Sequence, residues 1–469
     1  MPGAAVSSRG GDAASAIFAH VSAPMTGDHY RKYMLAVLLM ISASSYVDRI
    51  ALGLVLQDIK LEFDLSDTQL GVLTGIAFAL FYSLMGIPIA RWADQGNRVT
   101  IISLTTALWS AALAACTMAG SFAQLLLIRI GVAVGEAGCI PPAHSLIADH
   151  YSRDERPRAV SIYMMGAPLS LVVGYFLAGW LNELYGWRTM FLILGLPGIG
   201  LAALARFTLR EPRRARASTP RPQGLPSGDM PRDELRPGIG EVFRALWLNT
   251  TFRHLLVAFA LTSFFAGGVG QWSPAFFIRT HGFETSELGM WLAIAHGGGG
   301  LAGVLWGGEI ATRIAPSDEK KQLRAIGLSY CAFSVVTALI YMSPSYVLAF
   351  TFMALASFGA WLATGPLFST IQTLVPAPMR ATSIALLYLF ANLIGMGLGP
   401  LATGMLSDAL HPVFGSESLR YALLALCPGY LWGAWYIWRA SSTVERDILK
   451  AAGAEAILPA GDAPDAIAR

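Results

Sequence analysis

Twelve windows of apolar sequence, each long enough to cross about 30 Å of hydrocarbon as roughly 20 residues of helix, dominate this chain. They fall near residues 33–57, 69–90, 99–119, 122–147, 159–181, 189–209, 253–278, 288–312, 323–343, 345–370, 380–406 and 420–439. Over 469 residues, 54% are hydrophobic and only 13% charged, and mean hydropathy is +0.53. The expectation is an all-α membrane protein that crosses the bilayer twelve times. Pro and Gly recur inside several windows, which membrane helices tolerate better than soluble ones.

The spacing of the windows divides the chain. Residues 1–32 read as a polar cytoplasmic tail without the order of a cleaved leader, so the first span is expected to be retained. Six spans occupy 33–209, and 210–252 form a Pro- and Arg-rich cytoplasmic linker that turns amphipathic at 239–248, as a helix lying at the interface would. Six more spans fill 253–440, and 441–469 form a C-terminal tail. With the N-terminus inside, the inner loops and tails hold 27 Lys and Arg and the outer loops four, Lys60, Arg188, Arg279 and Arg420. That asymmetry puts both termini in the cytoplasm of what is expected to be a bacterial inner membrane.

Two short repeats relate the halves. Arg158-Ala159-Val-Ser161-Ile162 opens the fifth span and Arg380-Ala381-Thr-Ser383-Ile384 the eleventh, 222 residues later. Ser66-Asp-Thr-Gln69-Leu70-Gly71 precedes the second span and Glu284-Thr-Ser-Glu287-Leu288-Gly289 the eighth, at an offset of 218. Similar offsets six spans apart point to two parallel copies about an axis along the membrane normal.

Charges inside the spans are the candidates for function, because an ionised side chain in hydrocarbon costs from about 3 to more than 10 kcal/mol and turns inward to a partner or to water. The fourth span carries Arg129 and Glu136, two helical turns apart and so on one side. The first carries Asp48 and Arg49, which as neighbours point about 100° apart. The functional reading makes Asp48 and Glu136 the proton-coupling acids, with Arg49 between them holding an anionic substrate group; the bland reading is a buried ion cluster that orients helices. Arg129 serves either to bind substrate or to fasten its helix, which Gly131, Gly135 and Gly138 suit for close packing. Tyr46, Tyr163, Trp272, Phe276 and Thr364 are candidate cavity residues, as are Tyr82, His144, His296 and Trp361, although an aromatic or His within a span more often packs. Arg91, Asp94, Arg98, Glu155 and Arg158 alternate in sign at the inner mouth, where they either close an inner gate or form a solvated positive-inside face.

Other chemistries find no support. None of the five lysines follows a glycine, so no phosphate-binding loop exists and ATP is not the energy source. Cys116, Cys139, Cys331 and Cys427 are single thiols in apolar spans, without the spacing of a disulfide framework or a zinc site. No nucleophile stands beside a base in sequence, which argues against an enzyme.

The twelve spans, the long middle loop and Gly86-Ile-Pro-Ile-Ala-Arg-Trp-Ala-Asp94 through Asn97-Arg98 after the second span resemble the major facilitator superfamily over nearly the whole chain. Within it, Tyr46-Val-Asp48-Arg49, Arg129 through Gly135-Glu136-Ala137 and Asn392 through Gly395, Gly399-Pro400 and Asp408 resemble the Spinster type, whose eukaryotic members carry sphingosine 1-phosphate and lysophospholipids. The resemblance implies a transporter of amphiphilic lipids working by alternating access. In it Asp48, Arg49 and Glu136 would serve proton and headgroup, with Arg129 in support. Protons would be the coupling ion with no other cofactor, and the partners a lysolipid or other amphiphile and the bilayer. A monomer is expected, with no nucleic acid partner. The competing reading is an efflux transporter of drugs or other small organic anions.

Overall fold

The computed structural model describes residues 27–152, 155–212, 239–314, 318–375 and 379–457, and they are helical with short turns. Ten apolar helical stretches are long enough to cross a membrane, and two of these are double. Arg158–Thr208 has 51 residues, about 77 Å of helix, and it folds back at Gly186, whose φ of 76° and ψ of 163° break the helix. Positive φ of this kind favours glycine because a Cβ would crowd the backbone. Leu386–Lys450, 65 residues, breaks in the same way at Gly415, where φ is 56°. Each contributes two crossings, and the twelve windows are thereby accounted for in two six-helix halves.

The first span, Gly27–Leu54, packs along the fifth and sixth, and the third, Arg98–Met118, lies between the sixth and the fourth, Phe122–His150. The seventh, Thr250–His281, packs against the eleventh and twelfth, and the ninth, Glu319–Met342, against the tenth and twelfth. In the amphipathic helix Ile239–Leu248, Phe243 stacks on Trp247 while Leu246 is buried in the second half beside Phe252 and Leu255. Linker residues 213–238 and the N-terminal tail through 26 lie outside the described residues.

The repeated segments occupy equivalent places. Ser66 caps the second span with reciprocal bonds to Gln69, and Glu284 occupies the N-cap of the eighth. Beyond them, Gly71 meets the backbone of Pro400 and Leu401 in the eleventh span, and Gly289 meets Tyr175 and Gly179 in the fifth. These two crossings, second with eleventh and fifth with eighth, join the halves at their outer end, the one that the Lys and Arg asymmetry assigns to the exterior. At the opposite end, Ile140–His150 and Arg156–Met164 pack on spans of the first half, and Arg380–Phe390 packs on the second half.

Three of the four crossing helices contain a π-helical segment: Val72–Ile76, Ala293–Gly298 and Ala391–Leu398. A π turn widens the helix by one residue, and such turns occur mostly where function demands them. Here they sit where small residues bring backbones into contact. A Cβ on Gly75 would stand 2.5 Å from the Gly397 carbonyl oxygen.

Candidate transport site

The two neighbouring charges of the first span find separate partners on the fourth. Arg129 donates from Nη1 to both carboxylate oxygens of Asp48, at 2.7 Å each. Arg49 donates from Nε at 2.8 Å and from Nη2 at 2.5 Å to a single oxygen, Oε2, of Glu136. The fourth span thus answers acid-then-base with base-then-acid, its two charges on one face as the seven-residue spacing requires. The fourth span is held close to the third at Gly135, where a Cβ would stand 2.6 Å from that of Trp109.

This corrects the expectation that Arg49 lies between two acids. Each carboxylate has its own guanidinium, and the four groups balance in charge. They are unequal in access: the side chains of Asp48, Glu136 and Arg129 are 0, 1 and 2% exposed, that of Arg49 17%. Arg49 is thus the most accessible of the four.

Aromatic faces complete the surroundings. The Arg49 guanidinium lies 4.7 Å from the ring centre of Phe78, 5.0 Å from Tyr82 and 5.3 Å from Tyr46. Phe78 stacks on Tyr82 one turn along the second span and stands 5.6 Å from the Arg129 guanidinium, so one ring faces both cations. Each such contact contributes about 0.5–2 kcal/mol depending on desolvation. Arg49 Nη1 also approaches Met396 Sδ of the eleventh span at 3.9 Å, which makes Arg49 a contact between halves.

The other expected residues divide. Tyr46 is half-buried beside Arg49, whereas Tyr163 is buried with its ring edge-on to His144 at 5.3 Å. Trp272 and Phe276 are fully buried under the outer end: Trp272 donates to the Pro400 carbonyl at 2.9 Å, and Phe276 packs edge-on to Tyr341 at 4.9 Å. In this conformation neither presents surface to a ligand, so the expectation that they wall the open cavity is not met. The side chains of Thr364 and Asp94 lie outside those described.

Of the expected inner-mouth residues, Arg98 is fully buried and clasps Glu211, Asp149 and Ser145, joining the start of the third span to the fourth and to the end of the sixth. Glu155 accepts from Arg31 at 2.8 Å and from Ser152 Oγ at 3.1 Å. Hydrogen bonds from Ser152, together with the Arg31 cation, hold its carboxyl below the usual range. All these partners belong to the first half. Arg91 and Arg158 are exposed.

Sequence reasoning missed Phe78 and Met396. The signal for Phe78 was present in its four-residue spacing to Tyr82, which places both on one face beside the charged spans. An apolar groove of about 540 Å³ lies between Met40, Ser44 and Val47 of the first span, Leu169 and Val173 of the fifth, and Leu201 of the sixth. On the first span these positions are roughly half a turn from Arg49, so the groove backs away from the charged site.

A twelve-span bundle in two halves with paired intramembrane charges at their meeting place is the architecture of a secondary transporter rather than of an enzyme. Residues 38–400 match the family model of the Major Facilitator Superfamily, and the chain belongs to that family. It is 32% identical over 432 residues to an MFS-type efflux pump of Mycolicibacterium smegmatis, covering 89% of this chain and 94% of the relative. It is 25% identical over 422 residues to a sphingosine-1-phosphate transporter of Danio rerio, covering 82% of this chain and 78% of the relative. Among solved structures, a bacterial homolog to the human lysosomal transporter Spinster, in an inward-facing and unoccupied conformation, superposes with a TM-score of 0.78 at 31% identity, over 89% of this chain and 98% of that one. The chain is Spinster-like in both sequence and fold.

Proposed function

We propose that this protein is a proton-coupled secondary active transporter of amphiphilic lipids with an anionic or zwitterionic head, of the lysophospholipid or sphingosine 1-phosphate type. It works by alternating access in a bacterial inner membrane with both termini cytoplasmic, and it acts as a monomer. The observation that carries the coupling is the Arg49–Glu136 pair, in which the accessible cation is bonded to a buried acid. An anionic headgroup arriving at Arg49 competes with Glu136 for the same donors. Glu136, left without its counter-charge in a low-dielectric site, then takes a proton rather than remain ionised. Departure of the headgroup returns Arg49 to Glu136 and expels the proton.

Asp48 is a second coupling acid, released only if Arg129 moves. Amphiphile fits better than sugar or peptide because the walls around the cation are Tyr46, Phe78, Tyr82 and Met396, which give an anionic head one polar anchor and an apolar body its neighbours. At the inner mouth, Arg91, Asp94, Arg98, Glu155 and Arg158 would re-pair between halves when the outer end opens. A second reading, efflux of drugs or other small organic anions, is favoured by the extended likeness to the mycobacterial efflux pump.

The experiment is uptake of lysolipids, sphingosine 1-phosphate and a panel of apolar drugs into proteoliposomes with an imposed pH gradient. Gradient-driven movement of the lipids that is lost in Arg49→Ala supports the first reading. Movement of drugs alone supports the second.

A further inference from the structure

The outer end of the second span begins with backbone donors that its own helix cannot satisfy. Gln69 N–H goes to Ser66 Oγ at 3.2 Å and Ser66 N–H to Gln69 Oε1 at 2.9 Å. Acceptors for the remaining two come from the other half: Asp67 N–H donates to Asp408 Oδ1 at 3.0 Å, and Thr68 N–H to Asp408 Oδ2 at 2.7 Å. Thr68 Oγ1 adds a third bond to Asp408 Oδ2 at 2.6 Å. A carboxylate at a helix N-terminus is favoured by the macrodipole as well as by the bonds.

One residue away runs a second link in the opposite sense. Asp67, 3% exposed, receives both guanidinium prongs of Arg279 from the seventh span at 2.7 and 2.8 Å, Ser407 Oγ from the eleventh at 2.6 Å, and Lys60 at 2.5 Å. Arg279 Nε holds Gln57 at 2.7 Å. Each half therefore presents an acid that the other half satisfies. Separating them would leave the buried Asp67 with Lys60 alone, and the half-buried Asp408 and two backbone donors without partners until water arrives.

Both helices that carry this junction pass through a π segment before they reach Arg49. Val72–Ile76 lies between Gly71 and Phe78, and Ala391–Leu398 contains Met396 and precedes the helix of Asp408. The two segments touch, with a Cβ on Gly397 meeting Ala79 Cβ at 3.1 Å and Ile76 Cδ1 at 3.4 Å. A π turn can revert to α by shifting one residue, which rotates the helix on its C-terminal side, so a pair of them is an element with two discrete arrangements.

We propose that Asp408 on Thr68 and Arg279 on Asp67 are the outer latch of the transport cycle, and that the paired π segments are the joint through which the latch and the Arg49 site bias one another. Asp408 and Arg279 are positioning residues: neither touches the ligand site. The inference rests on the transporter assignment and on no choice of substrate.

The test uses full-length protein in nanodiscs, with spin labels on Leu61→Cys and Val413→Cys, both exposed at the outer end, and the native cysteines replaced by alanine. Without added ligand, the unsubstituted latch gives mainly the short distance. Asp408→Ala raises the ratio of long to short distances by about tenfold, as loss of roughly 1.4 kcal/mol of closure would. Thr68→Val, which deletes one bond, moves it the same way by less, and Asp408→Asn by an intermediate amount. Arg49→Ala, which removes the contacts to Met396, Phe78 and Tyr82, also raises the ratio. Thermal unfolding separates these shifts from loss of fold. An unchanged ratio in both Asp408→Ala and Thr68→Val overturns the latch. A shift in Asp408→Ala with none in Arg49→Ala overturns the joint. No outcome depends on which lipid is carried.

Discussion

Arg49 gives two of its donors to one oxygen of Glu136, and the other oxygen, Oε1, is buried with no hydrogen-bond partner among the described residues. A carboxylate satisfied on one side only is poised to accept a proton when its cation leaves, because the ionised form has little else to hold it.

Glu136→Gln keeps the shape and a carbonyl acceptor for Arg49 while removing the titratable group. Gradient-driven transport should fall at least about tenfold, corresponding to roughly 1.4 kcal/mol of lost driving interaction, while exchange of substrate across equal pH persists. The measurement is transport by reconstituted protein with and without a pH gradient. Equal gradient dependence in the variant and the parent would remove Glu136 from the coupling mechanism.

Phe78 faces the guanidiniums of both Arg49 and Arg129. Phe78→Leu preserves an apolar side chain but loses the negative ring face, so each cation gives up about 0.5–2 kcal/mol. Headgroup affinity should change and thermal stability fall together, whereas Phe78→Tyr, which keeps the face, should restore both if the hydroxyl is accommodated. Lipid binding by tryptophan fluorescence and a melting curve on the same samples decide it. Wild-type values for both quantities in Phe78→Leu would show that the ring is only packing.

The class of fold was legible because hydrocarbon thickness dictates span length; Gly186 and Gly415 merely mark where two uninterrupted apolar runs turn back. The four buried charges were legible too, since an Arg or Glu inside a span stands out against its neighbours. Their pairing was not: which of Asp48 and Arg49 meets which of Arg129 and Glu136 depends on how the first and fourth helices are rotated, and a charge count does not contain that angle. The burial of Trp272 and Phe276 in this conformation was not legible for a related reason. Large aromatics fill a close-packed seal as readily as they wall a cavity, and only the state of the bundle tells the two apart. The Asp408 cap was visible only as part of a motif, because its donors lie 340 residues earlier.

Asp48 and Arg129 form a pair that is almost wholly buried. Removing the base alone, as in Arg129→Met, leaves an uncompensated carboxylate and should cost about 3–5 kcal/mol, whereas replacing both, as in Asp48→Leu with Arg129→Met, should recover most of that loss. A double-mutant cycle on unfolding free energy measures the coupling. Transport in the stable double variant then separates the two readings of Asp48: retained gradient-driven movement makes the pair structural, and lost movement makes it part of coupling.

The outer contact between the fifth and eighth spans differs from the latch in being built from acids, an amide and a hydroxyl. Asp58 Oδ2 accepts from Asn182 Nδ2 at 2.7 Å, the same amide nitrogen donates to Thr285 Oγ1 at 3.0 Å, and Thr285 in turn donates to Glu183 at 3.2 Å. Burial pushes the Asp58 carboxyl above its ordinary value, and the nearby Glu183 charge adds to this against the lowering bond from Asn182. When the outer end opens, water reaches Asp58 and its affinity for a proton returns toward that of a free carboxylate, with a pKa near about 3.9. The closed state therefore binds the proton more tightly. Above the raised pKa closure carries the cost of a desolvated charge, and that cost disappears as pH falls through the window between the raised value and the ordinary one. External acidification is thus expected to shorten the Leu61–Val413 distance distribution on average, and Asp58→Asn to give the acid-like distribution at neutral pH with little further response. Glu62 is held below the ordinary range by bonds from Arg188 and Trp187, and since all three belong to the first half, opening of the outer end leaves that pairing in place. Titrating the outer distance from pH 7 downward in both proteins checks the sign: a distribution that lengthens on acidification, or an Asp58→Asn variant that responds like the parent, would place the pH sensitivity elsewhere.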